Sequence, residues 1–430
     1  MNAPETVFRA RKVYRSDGSL LADGAVICRE GRIVGVERWT PARMGDAQVV
    51  DLGGVLLLPG LIDAHTHLRL THLKGKTAPS KDFVGWLARI ALRSKLSRRT
   101  TLQRAIAAGA RELLAGGVTT AVEIDVDGLS AETLRGSPLR LIFAHECISL
   151  DPSRAEKVAA RMMKMVEMAE ERPLWRQHGL APHAPYSVSR ELWEALAREV
   201  GRDGQNGRNG RSGRVRQSGG RACLLTVHVA ESKEEAEMFA EGRGKMVRWL
   251  RRFRVLARGW RAPRCSPIAF LEQTGILATP GIAAHCGWAD EADAERLARY
   301  GWTVAFCPGT HEYFRRPPFP LERLRRAGVA VCVATDSAAS NMGLSMMEEM
   351  RRLARWFPEL SAREIVAAAT TIPAQGIGWG KEVGRIEAGW CADFSAWSPC
   401  CAGERLHRAW FEGEPPVCVA TIIGEQVVQR

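Results

Sequence analysis

Apolar residues arrive along this chain in short dense runs, separated by segments in which they recur at every third or fourth position. The runs are VLLLPGLIDAHTH (55–67), VTTAVEI (118–124), LRLIFAHE (139–146), GLAPHAP (179–185), ACLLTVHVAE (222–231), GIAAHC (281–286), TVAFCP (303–308) and VAVCVATDS (329–337). Each has the length and composition of a buried strand. Between them, TLQRAIAAGARELLA (101–115), SRAEKVAARMMKMVEMA (153–169), SRELWEALAREV (189–200) and DEADAERLARY (290–300) carry the period of a helix with one apolar face. This alternation predicts a parallel α/β architecture, either a (βα)8 TIM-type barrel or a doubly wound open sheet. The polar residues favour the barrel, because such barrels gather their active sites at the C-terminal ends of the strands. His65 and His67 close the first run, His183 the fourth, His228 and Glu231 the fifth, His285 the sixth and Asp336 the eighth.

The flanks have a different texture. Residues 6–54 alternate in short strands with turn signals such as SDG and EGR, and the stretch from Gly384 to the C-terminus does the same. A small β-sandwich built from both chain ends, residues 1–54 and 380–430, is predicted beside a barrel of residues 55–379. The 430 residues suffice for both, since a barrel takes roughly 250. No apolar run approaches the roughly 18 residues of a membrane span. The segment MNAPETVFRARKVYRSDG lacks the features of a secretory signal. Eleven cysteines, mostly single within strand-like runs and without a CxxC pair, read as buried thiols. A cytoplasmic protein is expected.

The net charge of +13 suggests nucleic acid until it is located. Residues 201–221 hold six arginines against Asp203, and residues 242–264 hold eight arginines and Lys245 without an acid. With these two insert-like segments set aside, the remaining chain carries about −1. The charge therefore says little about the core function, and nucleic acid is not the expected partner. The first segment is Gly-rich and polar enough to predict a loop. The second has Trp249, Phe253 and Trp260 among its arginines, which suits a helix or a lid on the barrel.

Side chains on a strand alternate, so His65 and His67 share a face and can hold one ion together. Alone, H-x-H is a weak signal. A third imidazole from His228 and a carboxylate from Asp336 would complete a nitrogen and oxygen set suited to zinc or iron, with a position left for water.

The strings PGLIDAHTHL (59–68), HVAES (228–232), AHCGWAD (284–290), CPGTHEYF (307–314) and ATDSAASN (334–341), in this order and spacing, resemble the amidohydrolase superfamily. Within it the chain is similar to the deaminase and chlorohydrolase branch, which includes aminofutalosine, S-adenosylhomocysteine and guanine deaminases. The closing phrase GRIEAGWCADF (384–394) belongs to the same pattern, and only the two basic segments stand outside it. The resemblance implies His65, His67, His228 and Asp336 as ligands of one divalent ion, zinc before iron. It implies Glu231 as proton shuttle and His285 as the group that orients the attacking water or polarises the substrate, with Asp336 serving catalysis as well. It also implies a homodimer or larger homo-oligomer.

Two departures narrow the expectation. The fourth strand ends in APHAPYS with His183 and offers no lysine to bridge a second metal, so one ion is expected. After the seventh strand many relatives have a Ser-Asn pair, and this chain has Thr310-His311, a lean towards the aminofutalosine-deaminase-like subgroup. Glu146, His183, His311 and Trp86 are the expected substrate contacts. The expected activity is hydrolytic deamination of an amino-heterocycle, a 6-aminopurine nucleoside-like molecule. Chloride displacement or cyclic-amide opening at the same site is the alternative, and an inactive relative serving as a binding module is the third.

Overall fold

The computed structural model describes residues 4–41, 47–167, 176–205, 215–216, 222–257 and 259–429. Eight strands follow the predicted runs and pair in parallel, each with the next: β1 (Leu61–Thr66), β2 (Val118–Asp125), β3 (Arg140–Cys147), β4 (Arg176–Pro182), β5 (Ala222–Val229), β6 (Ile282–His285), β7 (Thr303–Phe306) and β8 (Ala330–Val333). A parallel bridge between Thr66 and Asp336 closes the ring, with the backbone N–H of His67 donating to Asp336 O at 2.9 Å and that of Asp336 to His65 O at 3.0 Å. The architecture is therefore the barrel and not the open sheet.

One apolar cluster takes residues from all eight strands, including Ile62, Ile124, Ala144, Ala181, Leu224, Ile282, Ala305 and Cys332, and this is the barrel interior. Strand alternation carries that inner face up to the site. Ile142 and Ala144 belong to the cluster, and Glu146 two residues on lines a cavity; Val122 and Ile124 lead to Val126 in the same way, and Cys332 and Ala334 to Asp336. The surrounding helices bury one face each, as Arg99–Ala115 does through Leu102, Ile106, Ala110 and Leu113.

The first apolar run serves two sheets. Leu56–Pro59 joins the chain-end sheet, whereas Leu61–Thr66 opens the barrel. The chain crosses at Gly60, where a Cβ atom would collide with the Thr119 side chain. Both ends of the chain contribute to one mixed eight-stranded sheet, with Phe394–Ser398 pairing antiparallel to Leu56–Pro59 and Thr6–Tyr14 parallel to it. Phe8, Val26, Ile33, Leu57, Phe394 and Ile422 form its separate core.

The basic segments lie apart. The first leaves the helix Arg190–Gln205 and re-enters at the start of β5, on the side opposite the strand C-termini. Its residues 206–214 and 217–221 lie outside the described residues, and Val215 and Arg216 pair antiparallel with Cys223 and Ala222. The second contains the helix Lys245–Arg252, which buries Met246, Val247 and Leu250. Lys245 Nζ lies 2.6 Å from Asp82 Oδ1, the residue that caps the helix Phe83–Leu96. Among the described residues no helix is long and apolar enough to cross a membrane.

Candidate active site

The C-terminal ends of β1, β5, β6 and β8 bring four histidines and an aspartate to one point. His67 Nε2 lies 3.3 Å from His65 Nε2 and 3.1 Å from His228 Nε2, and Asp336 Oδ1 lies 3.6 Å from His67 Nε2 and 3.9 Å from His65 Nε2. These are the separations that ligands adopt about one ion with bonds of about 2.0–2.1 Å. The register of β1 shifts against β2 between Asp63 and Thr66, which brings both imidazoles into the cluster although the alternation below runs through Ile62 and Ala64.

The surroundings prepare these groups as ligands. Burial first, and then the neighbouring imidazoles, push the pKa of His65 far below its usual value, and burial takes His67 down to about 4. Neutral imidazoles are what a metal needs. His228 donates its Nδ1–H to His183 O at 2.8 Å, which leaves Nε2 for the cluster. Asp336 Oδ2 accepts from Thr310 Oγ1 at 2.8 Å and Ser340 Oγ at 2.9 Å, which turns Oδ1 towards the histidines. His285 and Asp336 adopt φ of +73° and +59°, a region uncommon outside glycine, so the backbone is strained at the residues the site needs. The donor set fits one divalent ion. His65, His67 and His228 can supply ligand atoms within 4.8 Å of one another, as can His65, His285 and Asp336.

Glu231 stands beside this cluster, two residues beyond β5. Its Oε1 lies 3.6 Å from His285 Nε2 and accepts a hydrogen bond from Arg316 Nη2 at 2.7 Å. Its backbone N–H donates to Glu235 Oε2 at 2.8 Å, and burial raises the carboxyl of Glu235 to about 8.

A cavity of about 330 Å³ opens over the cluster. His67, His183, His228, Glu231, His285 and Asp336 form its polar floor, and Glu146 and Arg69 face it from the side. Its outer wall is largely apolar, with Leu70, Leu87, Ile90, Val126 and Ile148, and Ser94 and Lys95 also line it. Phe83 and Trp86 bring the capping helix Phe83–Leu96 over it, and Trp86 Nε1 donates to Ala339 O at 3.3 Å. Burial raises the pKa of Glu146 against the opposing pull of His228 and Arg69.

Of the expected substrate contacts, Glu146, His183 and Trp86 line this cavity and His311 does not. The ring of His311 is turned away: Nε2 donates to Pro317 O at 2.5 Å, and it packs edge-on against Phe306 and Phe319 at centroid distances of 5.6 and 6.0 Å. In the short helix Pro308–Tyr313 it is the neighbouring Thr310 that faces the site. Sequence reasoning missed Arg316, Arg69 and the positioning roles of Thr310 and Ser340. Ser340 lay within the ATDSAASN string, but nothing in FRRPPFP marks Arg316.

Fold and site define a class of protein, the metal-centred (βα)8 barrels that do their chemistry at the strand ends. The chain belongs to the amidohydrolase family, whose sequence pattern matches residues 56–425, and it is a hydrolase. It is 30% identical over 371 residues to a 5-methylthioadenosine/S-adenosylhomocysteine deaminase of Thermococcus kodakarensis, covering 85% of this chain and 77% of that one. It is 29% identical to an aminodeoxyfutalosine deaminase of Deinococcus radiodurans, over 74% of this chain and 72% of the other. A crystal structure of a zinc-bound adenosine deaminase from Xanthomonas campestris superposes with a TM-score of 0.79 at 22% identity, covering 100% of this chain and 93% of that one.

Proposed function

We propose that the protein is a hydrolytic deaminase that replaces the exocyclic amino group of a 6-aminopurine nucleoside-like substrate with oxygen and releases ammonia. One observation carries this reading: His65, His67, His228 and Asp336 converge on a single point within reach of Glu231 and His285, at the floor of a cavity with largely apolar outer walls. The names of the two relatives support the choice of an amino-nucleoside over other heterocycles.

His65, His67, His228 and Asp336 would hold one divalent ion, zinc before iron, and such an ion, when bound, would make water acidic enough to attack at neutral pH. Glu231 takes one proton from the attacking water and delivers it to the ring nitrogen, then takes the remaining proton from the new hydroxyl group and delivers it to the amino group, which leaves as ammonia as the carbon–nitrogen bond breaks. His285, 3.6 Å from Glu231, orients the attacking water from the other side. Glu146 accepts hydrogen bonds from hydroxyls of the substituent, and His183 contacts the base. A bare base would leave such buried groups unpaired, at roughly 1–3 kcal/mol each. Trp86 and Phe83 cover the bound molecule. All eleven cysteines are unpaired, which supports a reducing compartment, the cytoplasm.

The test incubates metal-loaded protein with adenosine, methylthioadenosine, S-adenosylhomocysteine, aminofutalosine, adenine, guanine and a chlorotriazine while ammonia and chloride are followed. A nucleoside should give the highest kcat/KM. A free base or chlorotriazine preferred by tenfold or more would overturn the substrate assignment. Protein without bound metal and without turnover on any of them would point to a binding module.

A further inference from the structure

Arg316 is buried, with 3% of its side chain exposed, and its charge is aimed at the one carboxylate that the proposed reaction uses to move protons. Nη2 donates to Glu231 Oε1 at 2.7 Å. The guanidinium lies over the Phe314 ring at 4.8 Å and the Phe83 ring at 5.9 Å, in cation–π range. It does not line the cavity, so it stands behind Glu231 and not against the substrate. The segment carrying it is pinned: the Arg316 backbone N–H donates to His311 O at 3.1 Å, and His311 Nε2 donates to the carbonyl of the next residue, Pro317. Phe314 in turn packs edge-on against Trp86 at 5.1 Å and Phe83 at 5.5 Å.

We propose that Arg316 is a positioning residue: it holds Glu231 in the orientation that moves protons and ties that carboxylate to the aromatic cap formed by Phe83 and Trp86. A glutamate two residues beyond a strand end has several rotamers, and only those directed at the substrate's reacting atoms serve proton transfer. With Oε1 fixed by the guanidinium and Arg316 itself held between two rings, the carboxylate loses that freedom before the substrate enters. The buried His311 acquires a use here, as the anchor of the strap that aims Arg316. The inference rests on Glu231 as the proton shuttle.

The experiment compares Arg316→Met, Arg316→Lys and Glu231→Gln in zinc-loaded full-length protein, recording kcat and KM separately with metal content and thermal midpoint. Arg316→Met should lower kcat by about 10- to 100-fold, the scale on which misplacing a reacting group by about 1 Å acts, with KM within about threefold and metal content unchanged. Arg316→Lys, which keeps the charge on a flexible stem, should recover part of the loss, and added guanidinium should partly rescue Arg316→Gly. An Arg316→Met enzyme whose kcat stays within twofold, beside a Glu231→Gln enzyme that has lost its rate, would overturn the positioning role. So would a change confined to KM. If Glu231→Gln itself turns over normally, the shuttle assignment fails instead. Should the methionine variant not fold, the lysine variant carries the same kcat-against-KM test, since its stem still packs on the rings; wild-type kcat there with no rescue in Arg316→Gly overturns the proposal.

Discussion

The carboxylates and imidazoles at the strand ends differ in what removing each would cost. His228→Ala removes an imidazole whose other nitrogen is tied to His183 O at 2.8 Å, so the proposed ion would lose a ligand held in a fixed tautomer. The variant should keep the circular dichroism of a folded barrel, lose its stoichiometric metal and lose activity; full turnover by rigorously metal-free protein would remove the metal from the mechanism. Glu231→Gln keeps the shape and the hydrogen-bonding capacity but not the basicity, and should retain metal while its rate falls by about 10² to 10⁴. Thr310→Val leaves Asp336 Oδ2 with Ser340 alone, and should weaken metal affinity by about 10- to 100-fold, read by competition with a chelator. At this scale the sequence was informative where a residue sits inside a motif of fixed spacing. It was silent on Arg316, because the partner it meets is 85 positions away and no local period records that contact. It placed His311 at the cavity, which His311 does not line, because Thr310 and His311 are adjacent in a one-turn helix and only the direction of that turn decides which of them faces the site.

Helices and strands were legible to the extent that burial is one-sided. The helix predicted over 101–115 is observed at Arg99–Ala115, since its apolar stripe faces one layer and its polar stripe faces water. The run 55–67 reads as one strand and is two, because both halves are buried and an uninterrupted apolar string carries no mark where the chain changes sheets. The capping helix Phe83–Leu96 offers a test of an element as a unit. Asp82 Oδ1 accepts from Gly85 N at 2.8 Å and meets Lys245 at 2.6 Å, so Asp82→Ala removes an N-cap worth roughly 0.5–2 kcal/mol together with the tie to the basic segment. Phe83 and Trp86 should then close less well over the substrate, raising KM several-fold with little change in kcat; an unchanged KM would show that the helix is held without its cap. Deleting residues 203–219 should leave kcat/KM nearly unchanged, since both flanks of that segment, the end of Arg190–Gln205 and the start of β5, lie opposite the site. A loss above tenfold in a folded deletion would assign the segment a role in the reaction.

Across the whole molecule the barrel and the chain-end sheet are joined by an ion pair that neither sequence pattern announces. Arg140, at the start of β3, donates from Nε to Asp393 Oδ2 at 2.5 Å and from Nη2 to Asp393 Oδ1 at 2.9 Å, with side-chain exposures of only 6% and 3%. Asp393 also accepts from Gly424 N at 3.0 Å, and its backbone carbonyl accepts from Gly60 N at 2.9 Å, at the crossing between the two sheets. One aspartate thus holds β3, the crossing and the C-terminal strands together. A buried pair adds little over well-packed apolar residues, but removing one partner strands the other charge away from water, at about 3–5 kcal/mol. Asp393→Ala should therefore lower the denaturant midpoint sharply, while Arg140→Met with Asp393→Leu, which removes both charges, should lower it much less than the sum of the single changes. The site lies at the other end of β3, where Glu146 faces the cavity, so kcat/KM measured well below the unfolding transition should stay within about twofold in the double variant. If Asp393→Ala costs less than about 1 kcal/mol, the two units are held by their apolar contacts and the ion pair only sets their register.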